Sequence, residues 1–120
     1  MKMRQEKPRY LVQRSSPRFP VQLYARFMGS GPFVERRGNL GLLGFCMEGD
    51  DYPEGALVDL LFMVSDTGLW LHVRGVVLGT TNAHGWPACR GRLAYFEIED
   101  QQLVEAWLGR MRERSGLQVA

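Results

Sequence analysis

The sequence of 120 residues contains few of the side chains on which metal-binding and enzymatic chemistry depends. It has two cysteines and two histidines, and none of them stands at the spacing of a metal-ligand cluster. No Ser/His/Asp or Cys/His arrangement has a suggestive spacing either, so we expect no metal site, no cofactor and no enzyme. Cys46 and Cys89 are expected to be reduced and buried as small hydrophobic side chains.

Long apolar runs are also lacking. The longest, such as 56–64, is interrupted by Asp59 and is far too short to span a bilayer. The N-terminus has no apolar segment of the kind found in signal peptides. These absences predict a cytoplasmic protein that does not insert directly into a membrane.

Neither sign of charge dominates. Fifteen basic residues face thirteen acids, a net charge of +2, so no overall field drives binding to DNA or RNA. The distribution is uneven, however. Residues 1–18 hold six basic side chains and one acid, whereas residues 48–54 hold four acids and no base. We interpret residues 1–13 as a basic flexible arm and residues 48–54 as a solvated connector.

The alternation of apolar and polar residues predicts a chain built mainly of β-strands. From Pro20 onward, Val21, Leu23 and Ala25 alternate with polar residues, which is typical of a half-buried strand. Further strand regions, separated by turn residues, are predicted at about 33–47, 56–64, 69–80 and 87–98. Glycines 38, 41 and 44 predict a bend or bulge in the first of these.

A helical period follows the strands. Five apolar residues fall on one helical face: Leu103, Val104, Trp107, Leu108 and Met111. Glu99 and Asp100 stand at the positive N-terminal end, and Gly116 provides a stop. We therefore predict one domain at 14–114, with about five or six antiparallel strands over about 20–98 forming a small closed barrel. A helix at about 100–114 covers one opening, and 115–120 is a tail.

Two short motifs are the most informative feature of the chain. They are Arg14-Ser15-Ser16-Pro17-Arg18 and Asn39-Leu40-Gly41-Leu42-Leu43-Gly44. The first offers two guanidinium groups, and the second offers glycines where the backbone can approach a ligand closely. Alone, either motif is ordinary, since paired arginines are usually surface charges and paired glycines usually a bulge. Together they fit a small phosphate-bearing molecule with planar bases.

The pair resembles the signature of the PilZ domain family, an Arg-x-x-x-Arg segment before the first strand and Asp/Asn-x-Ser-x-x-Gly in the second. The resemblance implies a six-stranded antiparallel β-barrel with a C-terminal α-helix that binds cyclic di-GMP, a bacterial second messenger. It also implies signalling to an effector protein that controls motility, pili or exopolysaccharide and thus biofilm. Gly41 stands where the family has serine. The missing hydroxyl is expected to weaken binding by roughly several-fold to tenfold.

The same resemblance assigns roles to individual residues. Arg14 and Arg18 would grip phosphate and the Hoogsteen edge of one guanine, and Asn39 would hydrogen-bond the edge of the other. Gly41 and Gly44 would let the sugar-phosphate ring lie on backbone N–H groups. The arm before Arg14 is expected to become ordered around the ligand.

Two further expectations concern stoichiometry and stacking. Gln13 stands where, in the family, an additional arginine accompanies a stacked pair of ligands, so one ligand per protomer is expected. Phe19 and Trp86 are the candidates for an aromatic face against guanine.

Two alternatives remain from the sequence. A degenerate PilZ adaptor would bind only protein, although such members typically lose the arginines that are present here. A basic barrel for single-stranded nucleic acid would need a basic groove with interleaved aromatics. Against that alternative, the remaining arginines at 26, 74, 90 and 92 are scattered along the sequence.

Overall fold

Six strands followed by one helix make up the part of the chain that the structure describes. The structure is a computed structural model, and it describes residues 18–64, 67–83 and 85–119. The elements are β1 (Phe19–Phe27), β2 (Val34–Leu40), β3 (Gly44–Glu48), β4 (Leu57–Val64), β5 (Leu69–Ala83), β6 (Trp86–Ala94) and α1 (Ile98–Val119). Residues 1–13, predicted as a flexible arm, lie outside the described residues.

The strands close into a barrel in the order β1-β2-β3-β6-β5-β4, and every neighbouring pair is antiparallel. The predicted fold, a six-stranded antiparallel barrel with a C-terminal helix, is confirmed. The region 33–47 forms two strands rather than one bent strand, because the chain reverses between Leu40 and Gly44. Gly68 and Gly85 adopt positive φ angles of 72° and 82° in the turns that flank β5, as glycines in tight hairpin turns commonly do.

The barrel interior is filled by the inward-facing half of each strand. Phe45 is fully buried, and two glycines make room for its ring. A Cβ atom on Gly75 would lie 2.8 Å from Phe45 Cε1, and one on Gly91 would overlap the ring of Phe45 and the carbonyl oxygen of Val76. The narrow barrel therefore holds a large aromatic ring only because the facing strands lack side chains at these two positions.

Helix α1 packs on one end of the barrel. Val104, Trp107 and Leu108 are buried in the same apolar cluster as the strands, as the helical pattern predicts. The helix is longer than predicted: it begins at Ile98 and ends at Val119, so residues 115–119 belong to the helix rather than to a tail. Gly116 does not end the helix, since an interior glycine costs only about 1 kcal/mol relative to alanine. Within the described ranges, no helix is both long and apolar enough to cross a membrane.

The acidic segment 48–54 lies at the opposite end, where β3 finishes and β4 begins. Asp50, Asp51 and Glu54 are exposed, as predicted for a solvated connector, but Tyr52 is buried in the core and anchors the segment. The Arg36 guanidinium donates two hydrogen bonds, of 2.8 and 2.7 Å, to the Asp51 carboxylate and one of 3.1 Å to the Glu48 carbonyl oxygen. The hydrogen bond from Arg36 also lowers the pKa of Asp51. A fixed ion pair thus holds the segment over the end of the barrel.

Candidate functional site

The described motif residues meet on the outer surface of three neighbouring strands. Arg18 directly precedes β1, Asn39 is the penultimate residue of β2, and Gly44 is the first residue of β3. Asn39 is paired with Pro20 on one side and with Cys46 on the other. Antiparallel pairing therefore gathers Arg18, Asn39 and Gly44 at one edge. Arg14 lies outside the described residues, so its place in the site stays a prediction.

Arg18 and Gly44 are in direct contact. A Cβ atom on Gly44 would lie 3.0 Å from Arg18 Nη2, 3.7 Å from Arg18 Cζ and 3.3 Å from the carbonyl oxygen of Gly91. The guanidinium of Arg18 therefore rests on the bare backbone of Gly44. In the described part of the chain, no carboxylate lies within ion-pair distance of Arg18. Its donors are available to an anion on this surface.

The segment between β2 and β3 is fixed by hydrogen bonds. The Gly41 N–H donates to the Gly44 carbonyl oxygen at 2.9 Å, and the Leu93 N–H donates to the Leu43 carbonyl oxygen at 3.0 Å. The Tyr95 hydroxyl donates to the Leu42 carbonyl oxygen at 2.7 Å. Since the Gly41 N–H is already used inside the turn, Gly41 can help a ligand only by lacking a side chain. The expectation that Gly41 and Gly44 let the ligand lie on backbone N–H groups stays a prediction.

A groove of about 320 Å³ opens beside these residues. Its lining consists of Pro20, Arg37, Gly38, Asn39, Cys46, Met47, Glu48, Trp86 and Ala88. Asn39 Oδ1 is buried and accepts no hydrogen bond within the described residues. A buried acceptor without a donor is uncommon in folded proteins, and Asn39 Oδ1 is therefore able to accept a hydrogen bond at this surface.

Three arginines outside the sequence motifs lie on β2 and β6 near the groove. Arg37 lines the groove itself, Arg90 is paired with Cys46, and Arg92 is paired with Gly44. Burial raises the pKa of the Cys46 thiol, and the nearby charges of Arg18 and Arg90 oppose that shift. The site therefore carries a concentration of positive charge that the scattered positions of these arginines in the sequence do not show.

The sequence partly predicts where these arginines lie. Arg90 and Arg92 alternate along β6 and face outward, as do Arg37 and Asn39 along β2. Once the strands are assigned, each pair can be placed on one face. Local sequence patterns do not show that β3 pairs with β6. This pairing brings Arg90 and Arg92 close to the motif residues.

One acid and one aromatic side chain complete the groove. Glu48 Oε1 accepts a hydrogen bond of 3.1 Å from the backbone N–H of Arg37. Trp86 is 64% exposed, whereas Phe19 is 9% exposed and belongs to the core. Of the two candidate aromatics, only Trp86 can present a ring face to a ligand in the groove.

The described cysteines and acids form no metal site. Both cysteines are free: Cys89 is buried, and burial raises its pKa to about 11, whereas Cys46 is only half-buried at the groove. Across residues 18–64, 67–83 and 85–119, no group of three or more histidine, cysteine, aspartate or glutamate side chains is placed to hold a metal ion.

Comparisons with known proteins show the fold. No family model matches the chain, and no curated protein matches it in sequence. Among solved structures, the Bacillus subtilis inhibitor of motility, MotI/DgrA, is similar with a TM-score of 0.69 over 85% of this chain. The sequences are 12% identical, and the chain spans 52% of the length of that protein. The two therefore share the barrel-and-helix architecture.

Proposed function

We propose that this chain binds cyclic di-GMP in the groove between β1, β2, β3 and β6 and signals its presence to an effector protein. The observation that carries the proposal is the contact of Arg18 with Gly44 beside a groove that contains Asn39. These are three of the five residues that the PilZ resemblance assigns to the ligand. Residues far apart in the sequence thus meet where one ligand could touch them all.

The charges of the groove suit the two phosphates of the ligand. Arg37 lines the groove, Arg90 and Arg92 lie on the adjacent strand β6, and Arg18 directly precedes β1. None of the four forms an ion pair within the described part of the chain. A guanidinium is planar and permanently charged, so it can bind phosphate oxygens through two parallel hydrogen bonds. Arg14 would add a further guanidinium from the segment before Arg18.

The polar and aromatic groups suit guanine. The orphaned Asn39 Oδ1 is an acceptor for the N1–H or N2–H of a base. The Glu48 carboxylate, which also lines the groove, is a second acceptor for the same edge. Trp86 offers an exposed ring for stacking, a contact worth on the order of 1–3 kcal/mol per base. This combination favours guanine over a base without donors on that edge.

The inhibitor of motility that shares this fold supports motility as an output, alongside the pilus and exopolysaccharide endpoints of the PilZ resemblance. The arm before Arg18 would transmit occupancy by becoming ordered over the ligand. With Gln13 before the first arginine, we propose one ligand per protomer.

One observation favours a second candidate, an adaptor that binds only protein. Gly41 lacks the serine hydroxyl of the motif, and its N–H is already bound to the Gly44 carbonyl oxygen. A ligand therefore finds neither a side-chain hydroxyl nor a free backbone N–H at position 41.

Isothermal titration calorimetry of the purified chain with cyclic di-GMP tests the proposal, with GTP and cyclic di-AMP as competitors of related chemistry. We expect saturable binding of one ligand that is lost in Arg14→Ala and Arg18→Ala. Arg112→Ala, which removes an exposed arginine from the helix, is the matched control and should bind normally. Protection of Cys46 from alkylation by bound cyclic di-GMP would locate the ligand in the groove. Absence of heat and of protection at high ligand concentration would favour the protein-only adaptor.

A further inference from the structure

A second surface lies across the barrel from the groove, on the outward faces of β1, β4 and β5. These strands follow one another in the closed order, away from β2 and β3. We refer to it as the aromatic–arginine face, formed by Tyr24, Arg26, Phe33, Asp59, Trp70, His72, Arg74 and Phe96. None of these residues takes part in the groove.

The aromatic side chains of this face remain accessible. Trp70 is 47% exposed and Phe96 is 48% exposed. The rings of Tyr24 and Trp70 are 5.7 Å apart, and the His72 ring lies 5.1 Å from that of Phe96 and 6.3 Å from that of Phe33. Contiguous exposed aromatic surface of this kind typically marks an interaction site, and aromatic residues and arginine are enriched at the centres of protein interfaces.

The charge of the face is positive and incompletely compensated. Its carboxylate, Asp59, is 2% exposed and accepts hydrogen bonds from the Gly29 N–H at 2.8 Å and from Arg26 Nε at 3.0 Å. Arg74 Nη2 lies 3.9 Å from Asp59 Oδ1, which is too far for a hydrogen bond. His72 Nε2 lies 3.1 Å from the same oxygen, so the imidazole also faces this carboxylate. Two guanidinium groups thus share one buried carboxylate.

Arg74 is held in place by packing, but its hydrogen-bond donors lack an acceptor among the described residues. Its guanidinium carbon lies 5.0 Å from the centre of the Phe96 ring, just as that of Arg26 lies 4.4 Å above Phe33. Among the described residues, Arg74 has no hydrogen-bond acceptor, and its Nε is buried without a partner. A carboxylate brought by a partner would supply the acceptor that Arg74 lacks.

We propose that the aromatic–arginine face docks a protein segment in which an aspartate or glutamate stands beside a large apolar side chain. The carboxylate pairs with Arg74, and the apolar side chain lies on Trp70. The inference rests on the proposed function, because the segment belongs to the effector protein, but docking itself does not require nucleotide. Residues 1–17 of this chain are not the occupant, since they hold five basic residues and one acid and carry the same sign as the face.

A library of short random peptides displayed on phage tests the chemistry of the occupant. The full-length chain is the target, without nucleotide, and a Trp70→Ser/Arg74→Gln double variant is used for counter-selection. We expect enrichment of peptides in which Asp or Glu stands near Trp, Phe, Tyr or Leu. A synthetic copy of an enriched peptide should bind roughly tenfold more weakly to each single variant.

Matched substitutions in the groove serve as controls. Trp86→Ser and Arg92→Gln make the same chemical changes there and should weaken cyclic di-GMP binding while peptide binding stays intact. Trp70→Ser should weaken peptide binding and leave cyclic di-GMP binding intact.

If wild-type protein fails to bind cyclic di-GMP but the peptide results hold, the proposed function alone is overturned. Thermal unfolding of each variant verifies that it is folded, and Trp70→Ser, at a half-exposed position, provides the test if Arg74→Gln does not fold.

Three results would overturn the inference. One is no enrichment, or enrichment of basic or uncharged peptides. Another is peptide binding that is unchanged in the folded Trp70→Ser variant. The last is a wild-type dimer in sedimentation velocity that Trp70→Ser converts to a monomer, because the occupant would then be a second copy of this chain.

Discussion

At the scale of single residues, the absence of a side chain at position 44 matters as much as the presence of a charge at position 18. A methyl group on Gly44 would lie 3.0 Å from Arg18 Nη2, so the guanidinium would have to shift by a few tenths of an ångström. We expect Gly44→Ala to weaken cyclic di-GMP binding by roughly several-fold and to lower stability modestly, because the end of the Arg18 side chain can move whereas the Gly91 carbonyl oxygen, 3.3 Å from the new methyl group, belongs to the backbone. Calorimetry and urea unfolding measure the two effects.

A double variant shows whether Gly44 acts through Arg18. If it does, Gly44→Ala should have no further effect on ligand binding once Arg18→Ala is present. An additional loss in the double variant would mean that Gly44 contacts the ligand by another route.

Asp59 is expected to make stability depend on pH in the acid range. Burial acts to raise its pKa, but the Gly29 N–H, His72 and Arg26 outweigh burial and lower the pKa from 3.8 to about 2. A carboxyl with a lowered pKa in the folded state stabilises the protein above the unfolded-state value, and this stability is lost as the pH falls through the folded-state value. The free energy of unfolding should therefore fall between about pH 4 and pH 2.

Asp59→Asn should flatten this part of the pH profile, whereas Asp50→Asn, at an exposed acid, should leave its slope unchanged. The measurement is urea unfolding at a series of pH values. Equal slopes for Asp59→Asn and wild type would show that other carboxyl groups dominate acid unfolding.

At the scale of elements, the turn between β2 and β3 depends on the segment that follows β6. The Tyr95 hydroxyl donates to the Leu42 carbonyl oxygen at 2.7 Å across 53 residues of sequence. Tyr95→Phe removes this bond and should cost roughly 1 kcal/mol of unfolding free energy. Because Gly41 and Gly44 bound the same turn, the variant should also bind cyclic di-GMP less tightly. Tyr24→Phe, at a tyrosine outside the groove, is the control, and equal ligand affinity in both variants would contradict a role for Tyr95 in positioning the turn.

The strands also show which features of the fold and site can be predicted from the sequence alone. Alternation predicts the strands because it is a local pattern, whereas the meeting of Arg18, Asn39 and Gly44 at one site is implied by the PilZ resemblance. Arg90 joins them only through the pairing of β3 with β6, which depends on contacts distant in sequence. The position of the acidic segment is also set by a distant contact: its charge predicts exposure, and the bidentate ion pair of Asp51 with Arg36 fixes its position.

At the scale of the whole molecule, the closed barrel separates two surfaces of different chemistry while strand β1 contributes to both. Pro20, near its start, lines the groove, and Arg26, near its end, belongs to the aromatic–arginine face. Rigid packing between the two surfaces would hold both in fixed positions for the proposed ligand and the proposed partner. The centre of that packing is Phe45 between its two glycines.

Gly75→Ala tests how tightly the barrel is packed at its centre. The new methyl group would lie 2.8 Å from Phe45 Cε1 and 3.1 Å from both Leu60 Cδ1 and Val58 Cγ2. Overpacking of this kind should cost about 1–3 kcal/mol of unfolding free energy, measured by urea unfolding with an unchanged m-value. Gly79→Ala, in the same strand but with no atom within 4 Å of the new methyl group, should change stability little.

A compensating substitution identifies the cause. Each atom that crowds position 75 belongs to a side chain, and the nearest is on Phe45. Adding Gly75→Ala to a Phe45→Leu background should therefore cost less than adding it to wild type, since the smaller side chain frees the space that the methyl group needs. An equal cost in both backgrounds would mean that Leu60, Val58 or the strand backbone, rather than Phe45, opposes a side chain at position 75. In that case Phe45 would fill the barrel without determining which residues can face it.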